Sequence, residues 1–563
     1  MIAELSPGLL LIAGAVLVPV LPFVLRGVWI LALPVAGMAL LLTLPAGDYG
    51  QVEFLGQTLT LLRLDALSRV FGIIFLIAAF LGGLFALHVR AATEHVSALV
   101  YAGASLGAVF AGDLVSLFVF WELTAIASVF LIWSRGTERA WKAGLRYLVI
   151  QVGSGVLLLA GLLERWAETG SVEFGHIGLD GPGGVLIFLA FGIKCAFPLL
   201  HNWLQDAYPE ATPTGTVILS AFTTKLAVYA LARGFAGTEC LIWIGAAMTA
   251  FPIFYAVIEN DLRRVLAYSL NNQLGFMVVG VGIGTELALN GTAAHAFTHI
   301  LYKALLFMSM GAVLYRVGTT DATELGGLHK TMPLTTGFCI VGAASISAFP
   351  LFSGFVSKSM ILSAATYEGH FWIWLVLLFA SAGVFHHSGI KIPFFAFFAH
   401  DSGKRPKEAP LNMLVAMAIA AVLCVGIGVW PSALYAILPF AVDYLPYTDS
   451  HVLSQVQLLL FSALAFTVLL RTGVYPPEMH ATNLDSDWLY RRVGREVLHG
   501  TYAIARQVDN AVRGSAVRRI ERFLYGLYRH HGPSGFLARS WPTGSMVLWV
   551  AVLLTAYLVL FDL

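Results

Sequence analysis

The feature that most constrains this chain is a succession of long apolar runs separated by short loops. About sixteen are expected, near 8–25, 27–45, 66–88, 95–112, 113–133, 140–163, 183–208, 213–233, 238–258, 264–284, 290–316, 333–366, 370–398, 411–437, 452–471 and 543–562. A helix needs roughly 20 apolar residues to cross a hydrocarbon layer of about 30 Å. With 58% hydrophobic and 12% charged residues over 563 positions, the sequence describes an all-α polytopic membrane protein. The stretch Gln51–Leu64 alternates polar and apolar residues and predicts a short hairpin at the membrane surface.

Composition also narrows function. A net charge of +1 argues against a nucleic-acid partner. The four cysteines, Cys195, Cys240, Cys339 and Cys424, lie in apolar runs without metal or haem spacing and read as small core residues. No Gly-rich nucleotide loop follows a strand, so no cofactor is expected. The first apolar run lacks the basic lead and cleavage site of a signal peptide. Loops after odd-numbered runs carry Arg26, Arg90, Arg135, Arg139, Lys142, Arg263, Arg264, Lys330 and Lys404. Those after even-numbered runs carry Asp48, Glu53, Glu164, Glu173, Asp180, Glu239, Glu286 and Asp443. The positive-inside rule places the first set in the cytoplasm and both termini on the outer face.

Within this apolar frame the lysines are distributed unusually. The chain has nine lysines against 24 arginines, and five of the nine, Lys194, Lys225, Lys303, Lys358 and Lys391, fall inside apolar runs. A charged side chain at the bilayer centre costs roughly 2.5–3.5 kcal/mol even on a lenient scale, so an ionisable residue there is a functional candidate. Arginine cannot release its proton in a protein, whereas a desolvated lysine can. Lysines inside and arginines in the loops therefore point to a proton relay. The rival reading is lysines that snorkel to the surface from helix ends.

Helix breakers accompany these charges. Between Lys194 and Lys225 stand Pro198, His201, Trp203, Asp206, Pro209, Pro213 and Gly215, the pattern of a discontinuous helix at an ion site. Pro350 and Gly354 break the twelfth run ahead of Lys358, with the breaks in different registers relative to their lysines. Glu122 is the only acid well inside the first eight runs. His295, His299 and Lys303 are spaced i, i+4, i+8, which stacks three titratable groups on one helical face over about 12 Å. Zinc ligation is a rival for the two histidines, but neither a third ligand nor a helper acid is in sight. Lys391 has His387 one turn before it on the same face. The pair predicts a cytoplasm-side proton gate, its rival being a lysine that snorkels towards His400 and Asp401.

The run Lys194, Pro198, His201-Asn202-Trp203-Leu204-Gln205-Asp206-Ala207, Thr212-Pro213-Thr214 and Lys225 resembles the antiporter-like subunits of respiratory complex I and of Mrp multisubunit cation/proton antiporters. Gln205 departs from that pattern, which usually has proline there. The resemblance implies that Glu122, in its Phe-Trp-Glu-Leu context, pairs with Lys194. It also implies that His295, His299 and Lys303 continue the relay. Lys358 matches the distal complex I subunit and the Mrp types rather than the middle complex I subunit. The run Glu259–Ser269 fits the family too, although a positive-inside anchor accounts for Arg263 and Arg264.

The tail Asn483–Arg539 is the long polar stretch, with ten arginines and five acids among apolar residues at helical spacing. It reads as a basic amphipathic helix of about 45 residues and roughly 70 Å on the cytoplasmic membrane face. The expected organisation is N-terminal helices and hairpin (1–94), two inverted-topology repeats each with a broken helix (95–234 and 238–400), further helices (401–471), the amphipathic helix (472–542) and a last span (543–563). The expected function is that of a proton-translocating subunit, resembling the D-type subunit of Mrp antiporters, which is a transporter component rather than an enzyme. It would sit in a bacterial inner membrane among other membrane subunits and lipid, moving protons and sodium or potassium. A distal antiporter-like subunit of an NADH-quinone oxidoreductase or related redox complex is the alternative.

Overall fold

A computed structural model describes residues 6–533 and 535–561. The expected positions of the two chain ends, and the last residue of the sixteenth run, lie outside them. The described residues form two compact units, one up to Asn483 and one from Leu484 onward.

The first unit is helical apart from one hairpin. Ser6 caps α1 (Pro7–Ala15), which is nine residues long, so the span expected over 8–25 is corrected to a short helix followed by turns. Pro19 and Pro22 account for this, since proline bars continuation of the helix before it. α2 is Phe23–Thr43. The hairpin follows, with β1 (Gly47–Phe54) and β2 (Gln57–Leu64) antiparallel. Leu55 and Gly56 turn it with φ of 49° and 74°, the left-handed pair of a tight hairpin loop. Next come α3 (Ala66–Phe85), α4 (Ala92–Phe110), α5 (Leu114–Trp133) and α6 (Glu138–Thr169). Side chains of Asp65, Asp113 and Thr137 cap α3, α5 and α6.

The expected break in the seventh run is present, separating α7 (Gly181–Cys195) from α8 (Asn202–Ala207). The eighth run, expected as one helix, is itself interrupted. Phe222 separates α9 (Gly215–Ala221) from α10 (Thr223–Gly234). Tyr101 of α4 reaches this joint, where its hydroxyl accepts from Thr223 N at 2.9 Å. α11 (Cys240–Ile258), α12 (Leu262–Ile283) and the long α13 (Glu286–Val317) follow. The twelfth run is broken as expected, into α14 (Pro333–Ile346) and α15 (Ser353–Tyr367).

The two breaks share one local design. Both read Ala-Phe-Pro-Leu, at 196–199 and 348–351. In both, the alanine and the leucine have positive φ: 63° and 70° in the first, 56° and 74° in the second. Each helix closes with the same bond, Phe197 N to Gly192 O and Phe349 N to Ala344 O, both 3.0 Å. The expected difference in register relative to the two lysines is nonetheless present. The break is the same, and Lys194 precedes it while Lys358 follows it. Left-handed backbone at a residue other than glycine costs about 1–3 kcal/mol, and such strain clusters at functional sites.

The thirteenth run starts as α16 (Phe371–Val384) and continues as two π-helical segments, Phe385–Ile390 and Phe394–Phe398, around one turn of α-helix, α17 (Lys391–Pro393). Pro393 brings no N–H to the ladder, a reason for the altered winding. α18 (Leu411–Val429) ends ahead of Pro431 and a short α19 (Ser432–Tyr435), and α20 (Asp449–Arg471) follows. The second unit holds a π turn at Leu489–Gly494, α21 (Arg495–His531) and α22 (Thr543–Phe561). α21, with 37 residues, is about 56 Å long.

Among the described residues eleven helices are long and apolar enough to cross a membrane, counting α9 with α10 as one and Phe371–Phe398 as one, and α7 and α14 are shorter apolar helices. The count of sixteen is not reached on these terms, since α1 is only nine residues long and the other departures are broken or more polar helices. This is a multi-pass membrane protein.

Several loops of the first unit are tied together by charged side chains. Arg26 donates to Arg90 O, Arg139 pairs with Glu210 at 2.7 Å, and Lys330 and Arg405 converge on Asp401. Arg63 binds Asp48 and Glu173, and Arg233 binds Asp65. Of the basic loops expected to share one side, those of Arg26 and Arg90 are in contact. Arg263 is not a surface anchor: its buried guanidinium donates to Pro209 O (2.8 Å), Ala211 O (3.0 Å), Thr212 O (3.2 Å) and the Thr216 hydroxyl. It ties the turn between α8 and α9 to the start of α12.

Candidate functional site

All five intramembrane lysines are buried, Lys194, Lys225, Lys303 and Lys391 completely. Burial excludes snorkelling for all five. What each ammonium touches is therefore decisive.

Lys194 lies in the last turn of α7, and its Nζ donates to Trp121 O (2.5 Å) and Thr124 Oγ1 (2.8 Å) of α5. It sits 4.4 Å from the Trp121 ring centroid, over the face. Trp121 is fixed in turn by Ser154, to which its indole donates at 3.0 Å. Glu122 stands beside these contacts, yet no carboxylate lies within 4.0 Å of Lys194 among the described residues. Its Oε1 is buried without a hydrogen-bond partner, directed at Gly155 of α6, where a Cβ would overlap it. The expected pair is thus apart, in position to interact through space.

Lys225 and Lys358 exploit the interruptions. Lys225 Nζ donates to Ser220 O (2.6 Å), a carbonyl released where α9 ends. Lys358 Nζ donates to Ile346 O (3.1 Å), the last residue of α14, and lies 5.0 Å from the Phe276 ring centroid. Helix C-termini leave four carbonyls without partners and carry a partial negative charge.

The expected line on α13 forms, but its three members do not bond to one another. His295 engages Gln273 Oε1 and Ser357 Oγ, both at 3.2 Å, and Tyr302 donates to the same Gln273 oxygen. His299 is buried with neither ring nitrogen bonded. Lys303 turns to α12, where Nζ donates to Ser269 Oγ at 2.8 Å. Ser388 donates to Ser269 at 2.7 Å, and His387 Nδ1 shares a hydrogen bond with Ser388 at 2.8 Å. Lys303, Ser269, Ser388 and His387 thus form one unbroken chain of donors and acceptors. Lys391, one turn beyond His387, donates to Val257 O (2.6 Å) and Glu259 O (2.7 Å) at the end of α11 and pairs with Glu478 at 3.0 Å.

Sequence reasoning missed the hydroxyls and the amide. The polar triple Asn271-Asn272-Gln273 inside an apolar span was the available signal for Gln273. For Ser269 and Ser388 none existed, because a serine inside an apolar helix ordinarily satisfies itself on its own backbone.

Residues 111–385 match the family profile described as NADH:quinone oxidoreductase/Mrp antiporter, transmembrane. These residues belong to that antiporter-like membrane family. The D-type component of the sodium/proton antiporter of Alkalihalophilus pseudofirmus is 33% identical over 279 residues, covering 46% of this chain and 56% of the relative. The chain spans roughly half the length of the curated relatives it matches. A chain of the Mrp complex from Dietzia sp. DQ12-45-1b superposes with a TM-score of 0.67 at 23% identity, covering 77% of this chain and 94% of that one. A chain of the membrane-bound sulfane sulfur reductase, an archaeal respiratory membrane complex, gives 0.70 at 22% identity and covers 98% of this chain and 99% of its own. The fold is that of the membrane subunits in these assemblies.

Proposed function

We propose that the chain is a proton-translocating subunit of a multisubunit Mrp-type monovalent cation/proton antiporter, resident in a bacterial inner membrane with both termini on the outer face. The observation that carries this reading is the chain from Lys303 through Ser269 and Ser388 to His387. It supplies hydroxyl and imidazole stepping stones leading from a buried lysine to His387, one turn from Lys391, and protons pass along such groups by exchange of donor and acceptor roles. Glu122 biases the Lys194 proton; Lys225, His295, His299, Lys303 and Lys358 carry charge across the middle; His387 and Lys391 form the gate. The shared Ala-Phe-Pro-Leu break supports reading 95–234 and 238–400 as two inverted-topology repeats. The charged tail fits a lateral helix on the cytoplasmic face.

The test is cation-driven proton flux in everted membrane vesicles carrying the assembled complex. Glu122→Ala and Lys194→Ala should abolish flux while leaving the protein in the membrane. Lys194→Arg, which keeps the charge but cannot release the proton, should fail too. Normal flux in these variants refutes the relay.

A second reading, a subunit of a membrane redox complex, is favoured by one observation: the fold likeness to the sulfane sulfur reductase chain extends over almost the whole length. Copurifying partners with redox centres would support it, and partners without them the antiporter.

A further inference from the structure

The loop that follows α20 brings a group to Lys391 that nothing in the helices provides. Tyr475 is buried, stacking on His386 at 5.4 Å between ring centroids. Further on, His480 lies 3.6 Å from Asp321 and within 3.4 Å of the Asn260 amide, and Asn483 donates to Glu259 Oε2 at 3.1 Å. Between these anchors the Glu478 carboxylate is pressed against Lys391 Nζ at 3.0 Å. Both of its oxygens are buried without a hydrogen-bond partner, so the contact is an ion pair off the hydrogen-bonding axis. Yet Glu478 is flanked by exposed Pro477 and Met479, so a residue in contact with a fully buried ammonium lies one position from the protein surface. Burial pushes the Glu478 carboxyl up, against the pull of the Lys391 ammonium.

We propose that Glu478 is a proton-carrying residue that exchanges the Lys391 proton with the loop surface. An N–H bond of the Lys391 ammonium breaks as an O–H bond forms on Glu478; one proton moves, leaving a neutral amine and a neutral carboxylic acid. Glu478 then releases that proton to water, and in the reverse direction it collects one. Without the acid, Lys391 would face only the carbonyls of Val257 and Glu259, which hold an ammonium but cannot accept its proton. The titratable and charged groups around the pair are Glu259, Arg264, His386, His387, Tyr475 and His480. Apart from the side chain of Glu259, which is already engaged by Asn260 N and Asn483, none of them offers a second carboxylate. The inference rests on the relay reading of Lys391, and its test separates the two.

Flux per assembled complex is measured in the same vesicles, as a function of pH, for Glu478→Gln, Glu478→Asp, Lys391→Ala, the Lys391→Ala/Glu478→Gln double variant and Glu122→Ala. The expected result is a loss of roughly a hundredfold or more for Glu478→Gln, the low end of what a positioned acid–base group contributes. Glu478→Asp should keep most of the flux with a shifted pH profile, and the double variant should be no worse than Lys391→Ala. Wild-type flux in Glu478→Gln alongside an inactive Glu122→Ala overturns the proposal and spares the relay. Equal losses in the Gln and Asp variants, adding to that of Lys391→Ala, show a fastening role only and also overturn it. Wild-type flux in Glu122→Ala overturns the relay itself. If Glu478→Gln fails to assemble, the pH profile of Glu478→Asp decides, an unshifted profile counting against the proposal.

Discussion

Replacing Ser388 by alanine removes a single oxygen from the middle of the hydrogen-bonded chain. That oxygen is 2.7 Å from Ser269 Oγ and 2.8 Å from His387 Nδ1, so its loss leaves those two groups beyond hydrogen-bond reach of each other. The stability cost is mainly that of leaving His387 Nδ1 buried and unpaired, about 1–3 kcal/mol. A large membrane domain tolerates this, and the variant should assemble. Transport should suffer much more, by about 10²-fold if one obligatory exchange step is lost. Ser388→Thr, which keeps the hydroxyl, should retain flux if the extra methyl is accommodated. The assay is dye-reported proton flux in everted vesicles, normalised to immunodetected protein. Wild-type flux in a fully assembled Ser388→Ala protein would falsify the claim that protons pass between Lys303 and His387 by this route.

Gly155→Ala should cut flux without changing any titratable group, because the new Cβ would displace the Glu122 carboxylate; unaltered flux would mean that Glu122 has freedom to move aside. Arg263→Ala should lower the melting temperature of the purified protein, since the buried Ala211 carbonyl of the α8–α9 turn loses its donor at a cost of about 1–3 kcal/mol, while Pro209 O and Thr212 O keep other donors. Asp401 is held well below the usual carboxylate range by hydrogen bonds from Arg405 and Lys330, so its contribution is present above a pH of about 4 and fades as pH falls further. Asp401→Asn should therefore make the 399–410 loop more protease-sensitive at neutral pH and remove that acid-dependent change; a loop equally resistant in both proteins counts against it.

Much of the fold was legible because hydropathy and helix breakers are local signals. Pro198 and Pro350 mark the two interruptions, and Gln51–Leu64 marks the hairpin. The joint at Phe222 left no mark, because it depends on Tyr101, more than a hundred residues earlier, satisfying the Thr223 N–H. The lysines and histidines announced themselves as charges where charge is expensive. Their partners did not, since hydroxyls and backbone carbonyls are ordinary constituents of a helix until another helix brings a charge to them. Arg263 looked like a loop anchor because sequence shows which residues flank a span and not whether the guanidinium points inward. Glu478 was hidden in the same way, as one acid in a polar stretch whose path back onto Lys391 is set by Tyr475 and His480.

The interruptions and the lysines are parts of one arrangement. Three of the five ammoniums rest on carbonyls at or near a helix C-terminus: Lys225 on Ser220 at the end of α9, Lys358 on Ile346 at the end of α14, and Lys391 on Val257 and Glu259 at the end of α11. In a continuous helix those oxygens would be spent on the next turn. The end of a helix offers them together with the negative pole of its dipole, an interaction of about 0.3–2 kcal/mol for a nearby cation. A closed pair with a carboxylate would bind the charge more tightly, and breaking such a buried pair costs about 3–5 kcal/mol. A carbonyl end makes a buried ammonium tolerable without trapping its proton. On the relay reading proposed above, a broken helix would provide a resting place from which a proton can still depart. Strained left-handed residues such as Ala196 and Ala348 are consistent with that use, because the same breaks in a merely structural helix would cost stability to no purpose. Among the described residues, carboxylates stand only at the two ends of the row, Glu122 set apart from Lys194 and Glu478 in contact with Lys391.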